Sequence, residues 1–130
     1  MFDEISMQER RTETRLLCAD LIQLIWKDHN GREHQRVANL EDISLSGVCL
    51  CSETRVPEGT TVRIHYGDGE LIGVVRYCLR REIGHFIGVE FIEGCRWSSK
   101  HYRPQHLLDP RELVQRAIER HQGEGSVLIH

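Results

Sequence analysis

The stretch TVRIHYGDGELIGVVRYCLRREIGHFIGVEF, residues 61–91, decides the fold. Its first six residues alternate: Val62, Ile64 and Tyr66 fall on one face, Thr61, Arg63 and His65 on the other. A period of two marks a strand with one apolar and one polar side. Gly67-Asp68-Gly69 turns the chain, because Gly supplies backbone angles closed to other residues and Asp bonds to its own backbone. Leu71–Leu79 reads as a second strand, Arg80–Gly84 as a charged connection, and His85–Ile92 as a third strand with Ile87, Val89 and Phe91 facing inward.

The same grammar extends toward the N-terminus. Leu16–Trp26 is apolar at alternating positions, with Ile22, Leu24 and Trp26 on one side. That suits a strand covered on both faces or one in a closed barrel. His29-Asn30-Gly31 is a hairpin signal, followed by a strand at about Gln35–Leu40. Glu41–Gly47 breaks the pattern with polar residues, Val48–Cys51 is a short strand, and Pro57-Glu58-Gly59 is a turn. Six short strands at hairpin spacing predict a six-stranded antiparallel β-barrel.

Both ends of the chain differ from this core. Residues 1–15 carry Arg10, Arg11 and Arg15 among Glu9 and Glu13 and read as a flexible leader ahead of a barrel over 16–93. Residues 94–130 form an extension with a helix expected at about 110–122. Asp109 is its N-cap, Pro110 its first residue, Glu112 its third, and Gly123 its stop. Leu113, Val114, Ala117 and Ile118 share one face, so this helix is expected to dock on the barrel or on a partner. The class is therefore all-β with a C-terminal helix.

Composition narrows the function. The chain has 130 residues, enough for one domain. Its 17 basic and 20 acidic residues give a net charge of −3, which excludes binding of polyanions such as DNA or RNA by bulk positive charge. No apolar run approaches a membrane span, and the acidic start lacks the apolar region of a signal peptide, so a cytoplasmic setting without membrane insertion is expected. The basic residues comprise 15 Arg and 2 Lys. Arg forks suit planar, multi-acceptor partners. Five Cys and eight His invite a metal. However, no Cys-x-x-Cys or His-x-x-x-His exists, and Cys49-x-Cys51 would need two more ligands from elsewhere, so neither metal nor cofactor is expected. No nucleophile elbow, phosphate-cradling loop or perturbed carboxylate pair is present, and no enzyme activity is expected.

Two motifs remain. Arg11-x-x-x-Arg15 has little weight as a spacing, since Arg32/Arg36, Arg76/Arg80 and Arg116/Arg120 repeat it. Its position, directly before the first strand, lets two forks fold over a ligand held against the barrel. Asp42-x-Ser44-x-x-Gly47 lies at a strand-to-strand corner and has the composition of an ordinary Asx or Ser turn. The same residues carry usable chemistry. A carboxylate accepts two hydrogen bonds from guanine N1–H and its N2 amino group. A hydroxyl donates to a phosphate or base, and Gly admits a flat ligand close to the backbone.

Together the motifs resemble the PilZ domain, a bacterial receptor family for the second messenger cyclic di-GMP. The resemblance spans roughly Glu9–Glu93. It rests on Arg10-Arg11-x-x-x-Arg15, on Asp42-x-Ser44-x-x-Gly47, and on Ile87-Gly88-Val89-Glu90-Phe91. It implies a six-stranded barrel followed by a helix, with cyclic di-GMP as ligand. Arg11 and Arg15 would grip guanine edges and phosphates, Asp42 and Ser44 would hold guanine, and Gly47 would allow close approach. Arg10 is implied to influence whether one ligand or a stacked pair is held. The expected function is a cytoplasmic receptor that orders its leader on ligand capture and relays the change to a downstream protein. The alternative is a ligand-independent protein–protein adaptor on the same barrel. Output pathway, affinity and oligomeric state are not encoded in these motifs.

Overall fold

Alternating burial builds the structure, a computed structural model that describes residues 14–98 and 102–128. Val62 and Ile64 are fully buried while Thr61 is exposed, as the period of two requires. The elements are β1 (Leu16–Lys27), β2 (Glu33–Ile43), β3 (Gly47–Ser52), β4 (Thr61–Tyr66), β5 (Gly69–Arg81), β6 (Gly84–Phe91) and, as α1, the helix Pro110–Leu128. All strand pairs are antiparallel, and the sheet closes on itself in the order β1-β2-β3-β6-β5-β4. Closure removes the sheet edges and makes an interior that side chains fill. Leu24, Leu40, Ile43, Leu50, Ile64 and Ile87 occupy it with no exposure.

One strand is too long for its neighbour. β1 has 12 residues and β4 has 6. Their pairing runs only from Gln23–His65 to Trp26–Val62. The other half of that β1 edge would leave backbone groups unpaired, and the chain after β6 returns to cover it. The Leu17 and Leu108 amides each donate to the other's carbonyl at 2.7 Å, and the Ala19 amide donates to the Gln105 carbonyl at 3.0 Å. Trp97 is 7% exposed within the core, and its Nε1 donates to the Tyr102 carbonyl at 2.7 Å. Tyr102 stacks on Tyr66 with ring centroids 3.9 Å apart, and its hydroxyl donates to Asp20 at 2.7 Å. Residues 95–98 and 102–108 thus belong to the barrel's packing, although no periodicity announces them.

Several boundaries differ from the sequence expectation. Glu41–Ile43 stay within β2, and Arg80 and Arg81 stay within β5, so the polar residues there extend these strands and do not break them. The turn after β5 is confined to Glu82 and Ile83, with Gly84 at φ 138°. Leu21, outward on β1, is 70% exposed, so β1 is covered on one face along that part. Asp109 caps α1 as expected, accepting from the Arg111 amide at 2.9 Å. The helix continues past Gly123 to Leu128, since Gly weakens a helix without blocking it. Val114 and Ile118 remain 59% and 48% exposed, so this face is not covered by the barrel.

Replacing Tyr102 by Phe removes its bond to Asp20 and is expected to cost about 1–2 kcal/mol. Burial first, and then the Asp20 bond, raise the Tyr102 phenol above its ordinary value of 10. A raised value means the fold holds this proton more tightly than the unfolded chain. The contribution is therefore complete below pH ~10 and declines above it. Urea denaturation at pH 7.5 and 10.5 checks this: the stability gap between wild type and Tyr102→Phe should narrow at the higher pH.

Candidate functional site

Register brings distant residues into one row on the outer face. Leu17 of β1 pairs with Asp42 of β2, Asp42 with Cys49 of β3, Cys49 with Gly88 of β6, and Gly88 with Tyr77 of β5. Three bulges border this row. One extra residue is inserted in β1 between Leu17 and Asp20, one in β2 between Leu40 and Asp42, and one in β5 between Val75 and Tyr77. A bulge bends its strand and re-aims the side chains beside it. Three of them around one row give this part of the barrel a surface unlike the regular ladder elsewhere.

Arg15, just ahead of β1, lies across the row. Its Nε donates to Asp42 Oδ1 at 3.0 Å, its Nη2 donates to the same oxygen, and its Nη1 makes a long contact of 3.5 Å with Ser44 Oγ. The structure therefore joins Arg15 to the Asp42 motif across 27 residues of sequence. The Arg15 side chain is 45% exposed and that of Asp42 is 23% exposed, so the pair sits at the surface within reach of a ligand. Ser44 is fully buried; its hydroxyl donates to the Gly47 carbonyl at 3.3 Å and its amide to the same carbonyl at 2.9 Å. These bonds fold the corner between β2 and β3.

Gly47 has a role that the motif alone does not suggest. A Cβ there would collide with the Val89 carbonyl of β6. Its missing side chain lets β3 and β6 pair, which suffices to require Gly. Arg10 and Arg11 lie outside the described residues. Of the same-spacing arginines, Arg36 is engaged with Thr54 and the Gln35 carbonyl. Arg116 and Arg120 lie exposed on α1.

Tyr77 was not singled out by sequence. Its ring lies over Gly88, where any Cβ would strike it. Its hydroxyl reaches across β6 to hydrogen-bond Cys49 of β3, and burial together with that bond pushes the phenol up to about 12. Burial likewise raises the Cys49 thiol, partly offset by the Tyr77 bond. Both groups thus stay neutral at physiological pH. The visible signal was Gly88 itself, since a lone Gly inside a strand marks a close approach.

Beside Tyr77 a shallow cleft of about 180 Å³ runs between Arg15, Gly47, Arg76, Tyr77 and Glu90. Arg76 and Glu90 form its far wall, 3.5 Å apart. The cleft is smaller than the ~300 Å³ of a typical small-molecule pocket, so a ligand here also spreads over open surface. A larger groove of about 950 Å³ lies at the other end of β1. There Arg63 pairs with Glu33 at 3.0 Å and Asp28 with His34 at 2.9 Å, so part of its charge is already committed. The convergence of cation, carboxylate, hydroxyl and aromatic ring favours the smaller cleft as the site.

Among the described residues, no group of three or more His, Cys, Asp or Glu side chains is placed to hold a metal ion. No described helix is long and apolar enough to cross a membrane.

Comparison with known proteins adds a likeness in fold. No family model matches the chain, and no curated protein matches it. Among solved structures, the chain is similar to the PilZ domain with c-di-GMP of YcgR from Escherichia coli. Identity is 16%, the match covers 65% of this chain and 79% of that chain, and the TM-score is 0.46.

Proposed function

We propose that this chain is a cyclic di-GMP receptor that acts without catalysis and signals through a change at its N-terminal segment. One observation carries the reading. The Arg15 fork lies on Asp42, beside Ser44, at the edge of a cleft floored by Tyr77 and Gly88. Asp42 accepts from guanine N1–H and N2. Arg15 offers parallel donors to guanine O6 and N7 or to a phosphate oxygen. Tyr77 supplies an aromatic surface against which a base can rest. Arg10 and Arg11 extend the donor set from the segment before Arg15.

In the free protein Arg15 and Asp42 satisfy each other. Binding replaces this pair by two others, Arg15 with the ligand's acceptors and Asp42 with its donors. The number of charge-assisted bonds does not fall. Adenine carries an N6 donor where guanine has the O6 acceptor, so the same forks reject it. The PilZ-like motifs support this assignment and the relay to a downstream protein.

Calorimetric titration should show binding of cyclic di-GMP in preference to GTP, GMP and cyclic di-AMP. Arg15→Ala and Asp42→Ala should each weaken binding about tenfold or more, from ~1–3 kcal/mol per contact. Arg32→Ala and Arg116→Ala should leave it unchanged. Equal losses in all four would mean that general charge binds the ligand. Gly88→Ala should displace the Tyr77 ring and weaken binding about tenfold, from ~1–3 kcal/mol per stacked base, whereas Tyr77→Phe should retain most of the affinity. Unaltered affinity in Gly88→Ala, with the ring shown to be displaced, would remove Tyr77 from the site. Arg10 can cover an exposed guanine face by cation–π contact. Titration should therefore end near two ligands per chain and fall toward one in Arg10→Ala; an endpoint of one in both proteins refutes the stacked pair.

A further inference from the structure

Two residues further along β3, β5 and β6, a second row follows the first. Leu21 of β1 pairs with Asn39, Asn39 with Cys51, Cys51 with Phe86, and Phe86 with Leu79. These side chains point outward, because their neighbours Ile22, Leu40, Leu50 and Ile87 point into the core. Leu21 is 70% exposed, and Val37 and Ile83 beside it are 62% and 73% exposed. A groove of about 450 Å³ runs between Leu21, Val37, Cys51 and Ile83. The result is a mainly apolar belt across five strands, interrupted by Asn39 on β2 and edged by Arg36, Glu53 and Thr54, roughly 19 Å wide at ~4.8 Å per strand spacing. Contiguous apolar surface of this kind marks an interaction site.

We propose that the belt is the docking surface for this chain's own residues 2–7, Phe2-Asp3-Glu4-Ile5-Ser6-Met7. The reach is sufficient. Leu17 stands in the adjacent row, about 12–16 Å from Cys51 by two strand spacings and the two residues of rise on β3 or four on the bulged β1. Met7 precedes Leu17 by 17 − 7 = 10 positions, which span about 33 Å when extended. That is at least twice the distance and leaves room for the chain to reverse. The composition also fits. The apolar residues ahead of β1, Met1, Phe2, Ile5 and Met7, cluster at the far end of this segment, and 8–15 contain none. Charge around the belt is balanced, Arg36, Arg80 and Arg81 against Glu41, Glu53 and Glu82, so Asp3 and Glu4 meet no net repulsion there. Tethering supplies a high local concentration, so a few apolar contacts suffice.

Residues 8–14 must then cross the first row. This lays Arg10 and Arg11 over the cleft before any ligand arrives and lowers the ordering cost of capture. That consequence rests on the cyclic di-GMP reading; the docking itself does not.

Disulfide trapping tests the docking. Met7→Cys protein, with its native cysteines and no nucleotide, is oxidised mildly at micromolar concentration and mapped by mass spectrometry. Cys51, Cys78 and Cys95 are all half-buried thiols and compete as targets. The bond should form to Cys51 within one chain. Adding Phe2→Ser and Ile5→Ser, or the exposed turn substitution Ile83→Ser, should slow trapping about fivefold or more, as loss of apolar burial predicts. Three outcomes would overturn the proposal: no bond, a bond shared evenly among the three thiols, or no effect of these substitutions. Covalent dimers through Cys51 would do the same, by making a second copy the occupant. Since no ligand is present, failure of cyclic di-GMP to bind in a separate titration leaves this result unaffected.

Discussion

The barrel depends on satisfying both edges of β1. A strand of 12 residues cannot be sealed by a strand of 6, and each buried backbone group left without a partner costs about 1–3 kcal/mol. The chain meets this demand with the irregular stretch around Gln105–Leu108, which itself is held by Trp97 in the core and by Tyr102 against Tyr66 and Asp20. The start of β1, and with it Arg15, is therefore fixed from the C-terminal side. Arg15 meets Asp42 because Leu17 is clamped between Asp42 on one edge and Leu108 on the other.

The site combines a rigid floor with a loosely committed ion pair. Tyr77, Gly88 and Cys49 are held by strand register and by the absence of a side chain at 88. Arg15 and Asp42 are partly exposed, and surface ion pairs contribute only about 0–1 kcal/mol. Exchanging this pair for contacts to a ligand thus sacrifices little stability, while the floor stays as it is. The thiols nearby are poor nucleophiles, since burial raises Cys18 to about 12 and also raises Cys49.

The strands that alternate were legible from residue pattern alone, because Val62, Ile64, Ile87 and Val89 report an inside and an outside directly. The corner carrying Asp42, Ser44 and Gly47 was legible as a motif, and the structure joins it to Arg15. What the pattern could not carry was register. The bulges beside Asp42 and Tyr77 shift pairing by one residue and leave no compositional trace. Tyr77 and Gly88 are 11 positions apart in the chain (88 − 77) and become neighbours only after that shift. Residues 102–108 were equally silent, since an irregular backbone that pairs through amides and carbonyls needs no periodic side chains. Gly47 illustrates the reverse: the residue was visible, yet its structural reason, the Val89 carbonyl, lies on another strand.

Leu108 gives the clamp on β1 a mechanical side. It pairs with Leu17, two residues beyond Arg15, and α1 begins at Pro110, two residues beyond Leu108. The base of the helix is therefore coupled through a single backbone bridge to the strand that carries the site's arginine. A helix of 19 residues is roughly 28 Å long at ~1.5 Å per residue. With its described apolar side chains exposed and no sheet beneath them, it has the form of a pointer hinged at one end. A tilt of about 5° at its base would carry the far end by roughly 2.5 Å over that length, so a displacement too small to disturb the barrel is magnified along the helix.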